Sequence, residues 1–199
     1  MGRFAEIAFT PGVKAVQTRM GSRAAYARME RGGGDRLGED ERGFLAERDS
    51  FYMASVGETG WPYVQHRGGP KGFVKVLDDE TLAFADYRGN RQYLTVGNVG
   101  SDDRVALIFV DYPSRTRLKV LARAEVSEAE EVVSRVRDEA YAAGRVERAF
   151  VLHVEGVDWN CPQHITPRFT EEEIAEATRP LRERVKELED ENRRLRAGG

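Results

Sequence analysis

Phe51-Tyr52-Met53-Ala54-Ser55-Val56-Gly57-Glu58-Thr59-Gly60-Trp61-Pro62-Tyr63-Val64-Gln65-His66-Arg67 decides the fold class. Its two arms have a strand-like period, and the Gly-Glu-Thr-Gly between them reads as a hairpin turn. Alternation puts Tyr63, Gln65 and Arg67 on one face of the second arm and Val64 and His66 on the other. After the break at Gly68-Gly69-Pro70-Lys71-Gly72, Phe73–Leu77 and Thr81–Ala85 flank Asp78-Asp79-Glu80 as a second hairpin. Arg104–Asp111 is a fifth strand and Arg115–Val126 a sixth; a short helix over Glu128–Tyr141 precedes a last strand, Ala149–Val154. The pattern predicts a mainly β chain with flanking helices (α+β), built on an antiparallel barrel of six to seven strands.

Outward from the strands the period changes. Residues 1–47 are expected to form a helical segment packing on the barrel, residues 48–169 the barrel itself, and residues 170–199 a C-terminal amphipathic helix. The first segment holds a helix from Val13 to Met29, opened by Thr10-Pro11, and a second from Glu39 to Arg48, separated by Arg31-Gly32-Gly33-Gly34-Asp35. In the last segment Ile174, Leu181, Leu188 and Leu195 recur every seven residues, with Thr178, Val185 and Asn192 in the companion seam. Arg184 and Glu191 fall at g positions with Glu189 and Arg196 at e, a coiled-coil-like pattern, and the lone Asn favours parallel pairs. The alternative is a single helix lying on the barrel, and Pro180 is expected to limit the unbroken part.

The chain has 199 residues, with 31 Lys and Arg against 34 Asp and Glu, a formal charge of -3. Such a balance makes no electrostatic case for nucleic acid or an anionic membrane. The longest apolar run, Val105–Val110, falls far short of the ~20 residues a spanning helix needs. No apolar signal core follows Arg3, so a cytoplasmic location is expected. One cysteine, Cys161, excludes an internal disulfide and a cysteine zinc cage.

Three polar segments interrupt the strands. The first, Gln65 to Gly72, combines Arg67 and Lys71 with glycines that let a planar ligand approach main-chain amides; a plain strand end with a Gly-Pro turn explains it equally well. In the second, Asp86-Tyr87-Arg88-Gly89-Asn90-Arg91-Gln92, Asn90 caps a helix expected through Val96. Arg88 and Arg91 add forked donors suited to a phosphate, or are simply solvated. In the third, Arg115, Arg117 and Lys119 share a strand face, opposed by a ligand phosphate, a partner's carboxylates or water. The usual catalytic and metal signatures are absent from the sequence. His153 reads as a core residue, and Cys161 and His164 are badly spaced for nucleophile and base.

Taken in order, these segments resemble the pyridoxamine 5′-phosphate oxidase-like family of FMN-binding split barrels over about residues 45 to 170. The carriers are Trp61–Phe73, Phe84–Gln92 and Trp159-Asn160-Cys161-Pro162-Gln163-His164-Ile165-Thr166-Pro167-Arg168. The resemblance implies a homodimer with two FMN molecules at the subunit interface. It implies that Pro62, Tyr63, Val64, Gln65, His66 and Arg67 run along the flavin and ribityl chain, and that Ala85 and Asp86 also touch the ring. Arg91 and Gln92 fall where the family grips the phosphate, and Tyr87 and Asn90 belong to the same block. Gln92 stands where the oxidases carry lysine, which leaves Lys71, Arg88 or Arg117 to complete the charge. Trp159 and Arg168 match the late residues that reach the flavin across the interface.

Other departures bear on activity. Tyr141 and Arg145 keep part of the oxidases' substrate-phosphate spacing, but Ala149 replaces the hydroxyl and Arg67 stands at a lysine position. These departures argue against pyridoxamine phosphate oxidation. The resemblance implies a flavin-dependent oxidoreductase acting on a small molecule, with Arg67 or Lys71 offsetting negative charge on the ring and no acid or base assigned. Alternatives within the same fold are an F420- or haem-binding protein, or a non-catalytic flavin-binding module whose tail recruits a partner.

Overall fold

The computed structural model describes residues 3–29, 36–138, 141, 145–160 and 162–198. The glycine-rich break at 31–35 and Cys161 lie outside the described residues. The chain divides into two compact units, Met1–Asp111 with Thr116–Pro162 and Tyr112–Arg115 with Gln163–Gly199.

Among the described residues seven strands build the first unit: β1 (Ser50–Val56), β2 (Pro62–Gly68), β3 (Lys75–Val76), β4 (Thr81–Tyr87), β5 (Arg104–Asp111), β6 (Thr116–Ser127) and β7 (Val146–Asn160). They form one antiparallel sheet in the order β2-β1-β5-β6-β7-β4-β3. Strands β2 and β4 are not neighbours in that ladder. Yet Arg67 of β2 reaches Asp86 of β4 at 2.7 Å, so the sheet curls into a barrel as the strand pattern predicts, of the split kind that the resemblance implies. Two irregularities in β7 shape it. Between Asp86 and Tyr87 of β4 the register skips Glu147, and between Leu121 and Ala122 of β6 it skips Glu155. Each skip is a bulge that re-aims the side chains beside it.

Five phenylalanines fill the barrel. Phe84 stacks on Phe150 at 5.0 Å between ring centroids, and Phe51 packs against Phe73, Phe84 and Phe109. All five are buried, with Met53, Leu82, Leu118 and Leu152 among them. Strand β4 is covered on both faces: Leu82 and Phe84 point inward, while Ala83 and Ala85 meet Val133 and Val136 of helix α6 (Glu130–Val136). That double cover explains its unbroken apolar run.

Several elements depart from their expected limits. The first helical segment divides into α1 (Arg3–Ala8), α2 (Pro11–Arg19) and α3 (Arg23–Met29). The break between α2 and α3 falls at Gly21, whose φ of 76° is left-handed. Thr10 caps α2 as expected, its hydroxyl accepting from Val13 N. Helix α4 (Glu39–Ala46) is followed directly by β1. Phe73 and Val74 are buried core residues rather than strand, leaving β3 two residues long. Gly72, at φ 73°, explains this: a Cβ there would lie 2.9 Å from the Ala46 carbonyl, so the loop folds tightly onto the end of α4. The glycine block therefore admits the protein's own chain. Strand β6 begins at Thr116, because Arg115 adopts a left-handed φ of 58° in the preceding turn. His153 is exposed and not in the core.

In the second unit Thr170 opens α7 (Glu171–Ala197) with a reciprocal cap: Glu173 N donates to the Thr170 hydroxyl, and Thr170 N donates to the Glu173 carboxylate. The helix runs 27 residues straight through Pro180, which therefore does not end it.

Gly156 marks where α1 meets β7. A Cβ on Gly156 would lie 2.7 Å from the Phe4 backbone, and Arg3 pairs with the bulged Glu155 beside it. Gly156→Ala is expected to lift α1 from the sheet while leaving the phenylalanine core in place. Amide exchange should rise many-fold at residues 5–9 and stay slow at Phe84 and Phe150.

Candidate functional site

Bringing β2 and β4 together places the polar faces of both sequence blocks around one cleft. Tyr63, Gln65 and Arg67 enter from β2, Asp86 and Tyr87 from the end of β4, and Gly89 to Gln92 from the loop beyond. Tyr93 to Val96, at the start of α5 (Leu94–Ser101), and Glu147 of the β7 bulge complete the lining. Alternation along β2 is the local reason: odd-numbered residues face the cleft, and even-numbered ones face away. Thr95 fixes the helix start by donating its hydroxyl hydrogen to Gln65 Oε1 at 3.0 Å.

Charge at the floor of this cleft is held in a buried network. Arg67 Nη1 donates to Asp86 Oδ1 at 2.7 Å, and the other carboxylate oxygen lies 3.6 Å from Arg148 Nε. Arg148 also donates to Glu147 at 3.2 Å and covers the Tyr93 ring at 4.8 Å. The Arg67 guanidinium sits 5.1 Å from the Phe150 ring centroid, so the polar floor rests on the aromatic core. Burial pushes the Asp86 carboxyl up, opposed by Arg67 and Arg148, and burial pulls Arg67 down, opposed by Asp86. The two shifts describe one desolvated ion pair. Arg67 Nε is buried without a hydrogen-bond partner among the described residues, an unmet donor on a residue that lines the cleft.

The rim is a strained loop. Arg91 and Tyr93 have φ of 62° and 54°, left-handed values uncommon for bulky side chains. Arg91 Nε donates to Tyr93 Oη at 3.3 Å, and Tyr93 Oη donates to Glu147 at 3.2 Å, which holds the exposed guanidinium at the mouth. The bond to Tyr93 raises the Arg91 pKa. Asn90 does not cap α5. It accepts from Gln92 N and donates to the Gln92 side chain, while the helix starts three residues later than expected, after Tyr93.

The structure thus gathers Tyr63, Gln65, Arg67, Asp86, Tyr87, Asn90, Arg91 and Gln92. Others of the sequence set lie elsewhere in this chain. Val64 is exposed on the opposite face of β2 with His66, which packs edge-on to Tyr52, and Pro62 begins the strand opposite Val56. Lys71 pairs with Glu47, and Arg88 lies 3.7 Å from Glu147 just outside the lining. Ala85 is buried in the cluster under α6. Arg117 lies on β6 opposite Asn160. Trp159 Nε1 donates to Glu41 at 2.6 Å, and its ring packs edge-on against Phe44. Arg168 belongs to the second unit, where it covers the Tyr112 ring at 4.8 Å. Sequence reading missed Tyr93, Thr95, Glu147 and Arg148. A Glu-Arg pair opening a strand carries no signal of its own; only the bulge aims it here.

Among the described residues no group of three His, Cys, Asp or Glu is placed to hold a metal ion, and no helix is long and apolar enough to cross a membrane. The curled seven-stranded sheet with its polar cleft defines the split-barrel class. Residues 37–158, more than half of the chain, match the family described as Pyridoxamine 5'-phosphate oxidase, and the chain belongs to that family. No curated protein matches it. Among solved structures, a HupZ variant from Group A Streptococcus aligns with a TM-score of 0.51 at 14% identity, over 62% of this chain and 99% of its own. An FMN-binding protein from Syntrophomonas wolfei subsp. wolfei aligns with a TM-score of 0.51 at 11% identity, covering 74% and 97%. A putative pyridoxamine 5'-phosphate oxidase from Lactobacillus delbrueckii is 28% identical over 63% of this chain and 96% of its own, with a TM-score of 0.49.

Removing Asp86 would strand the Arg67 guanidinium in the barrel wall and leave Arg148 with Glu147 as its remaining carboxylate. Asp86→Ala is expected to cost about 3–5 kcal/mol in urea unfolding. Adding Arg67→Met, which removes the stranded charge, should recover part of that loss.

Proposed function

We propose that this chain is an FMN-dependent oxidoreductase of a small-molecule substrate, working as a homodimer with the cofactor at the subunit interface. The observation that carries the reading is the arginine-lined cleft itself, inside the family-matched segment, with the buried Arg67 Nε left unsatisfied. Its donor set fits FMN. Arg91 at the mouth is suited to a phosphate monoester, and Arg88 stands just outside. Gln65 and Arg67, deeper in, suit the carbonyl and nitrogen acceptors of the isoalloxazine edge.

The size of the cleft supports a shared site. One chain forms about 200 Å³ there, below the ~300–1,000 Å³ usual for ligand sites, which favours a site completed by a second wall. A surface suited to bringing that wall lies on the outer face of the sheet, where Tyr52, Ala54, Val64, Ala106, Ile108 and Leu121 line an apolar depression. In such a dimer Trp159 and Arg168 are candidates to reach the other protomer's flavin. Lys71 and Arg117 remain candidates for the phosphate charge on the same terms.

Bound flavin supplies the electron or hydride transfer. The chain's own part is to orient and to tune. Asp86, itself paired with Arg148, fixes the Arg67 guanidinium, which would keep a positive charge where the ring would accumulate electrons. The Phe84 and Phe150 rings beneath it keep water from that side of the guanidinium.

Freshly purified protein should show the two-band absorbance of oxidised flavin, and denaturation should release FMN. Arg91→Ala should weaken FMN binding severalfold or more in a titration of the apoprotein, the loss of a charged hydrogen bond. Unchanged affinity would remove Arg91 from the site. Preference for F420 or haem over FMN in the same titration would overturn the cofactor assignment.

A further inference from the structure

We infer that α7 is one strand of a parallel, in-register two-stranded coiled coil whose other strand is α7 of a second copy of this chain. The helix is 27 residues long, or about 40 Å, and has no buried residue. Ile174, Leu181, Leu188 and Leu195 at d, with Val185 at a, form a stripe along it, and these five side chains are 46–72% exposed. Leaving five large apolar side chains in water along one helix face is unfavourable, and a paired helix removes them from water.

The charges choose the partner. In a parallel pair a g residue faces the e residue five positions on in the other strand. Arg184 then meets the partner's Glu189, and Glu191 meets the partner's Arg196; both are opposite-sign, and symmetry doubles each. The second copy is therefore complementary in register, without any change of sequence. The ion pairs within α7 join Arg184 to Glu187 and Arg193 to Asp190, three residues apart, and they leave Glu189, Glu191 and Arg196 without an ion pair among the described residues. Asn192 falls at a, where facing side-chain amides satisfy each other only when two parallel strands are in register. Pro180 falls at c, on the outside of such a pair, and the helix continues through it. Its missing N–H and its ring are therefore kept from the seam. None of this rests on the flavin reading.

Cysteine crosslinking of the full-length chain in a Cys161→Ser background tests the pairing. Leu188→Cys should oxidise to a disulfide-linked dimer at least tenfold faster than Asp190→Cys on the outer face; equal rates would overturn the proposal. A mixture of Leu181→Cys and Leu188→Cys proteins, tagged to differ in mass, should link like with like. Predominantly mixed disulfides mean an antiparallel pair and also overturn it. Arg184→Glu with Arg196→Glu makes every g and e position in these pairs acidic and should slow the Leu188→Cys crosslink severalfold at low salt. Circular dichroism of that variant checks that the helix persists. Crosslinking unaffected by the charge reversal would sink the proposed register.

Discussion

Among the described residues one ion pair joins β2 to β4 across the split of the barrel. Arg67 and Asp86 lie on strands that share no ladder hydrogen bond, one at an edge of the sheet and the other next to the opposite edge. Their contact spans the split, and Arg148 steadies it from the β7 bulge. A buried pair of this kind contributes little net stability by itself, because desolvation opposes the attraction. Its value is positional. It sets how far apart β2 and β4 stand, and hence the width of the cleft between them. The raised carboxyl and lowered guanidinium both record the cost of burial. As pH rises through the Asp86 pKa, the carboxyl contribution to stability is withdrawn, since the folded state binds that proton more tightly than the unfolded chain. At neutral pH the arginines are what keep the ionised form in place.

Aromatic packing and polar chemistry meet at the same point. Phe84 and Phe150 are core residues on one side and the platform for Arg67 on the other. Loosening this stack would therefore move a site residue as well as cost stability. The strained Arg91–Tyr93 segment sits on the rim of the same network, tied through Tyr93 to Glu147. Left-handed backbone at two bulky residues within three positions persists only where surrounding contacts enforce it. Here those contacts are the hydrogen bonds of the rim and the Arg148 guanidinium over the Tyr93 ring.

The two bulges show how little of this lies in local pattern. Skipping Glu147 aims Arg148 at Asp86, and skipping Glu155 presents a carboxylate to Arg3 and Arg123. The sequence pattern places the last strand at Ala149–Val154, so both residues fall just beyond its ends and carry no signal of a bulge. Asn90 illustrates the reverse error. It is a good helix-cap residue, yet its side chain engages Gln92, and the helix begins after Tyr93 with no side-chain cap. Local propensity named the residue type, and the tertiary loop chose its partner.

The chain's own order of residues determined the strand series, the faces of β2, the capping of α2 and α7, and the heptad stripe. These depend on periodicity and on contacts within a few residues, which any one segment carries by itself. The two cleft-forming blocks were legible for the same reason, as polar interruptions at strand ends. Tertiary structure alone decided that Arg67 meets Asp86 and that Arg148 joins them. It also decided that Lys71 turns to Glu47 and Trp159 to Glu41, and that Gly72 and Gly156 serve close chain approach. Each of these depends on how the sheet curls and where its register skips. Such quantities are set by the whole ladder of strands and its packed core, and no single stretch of sequence contains them.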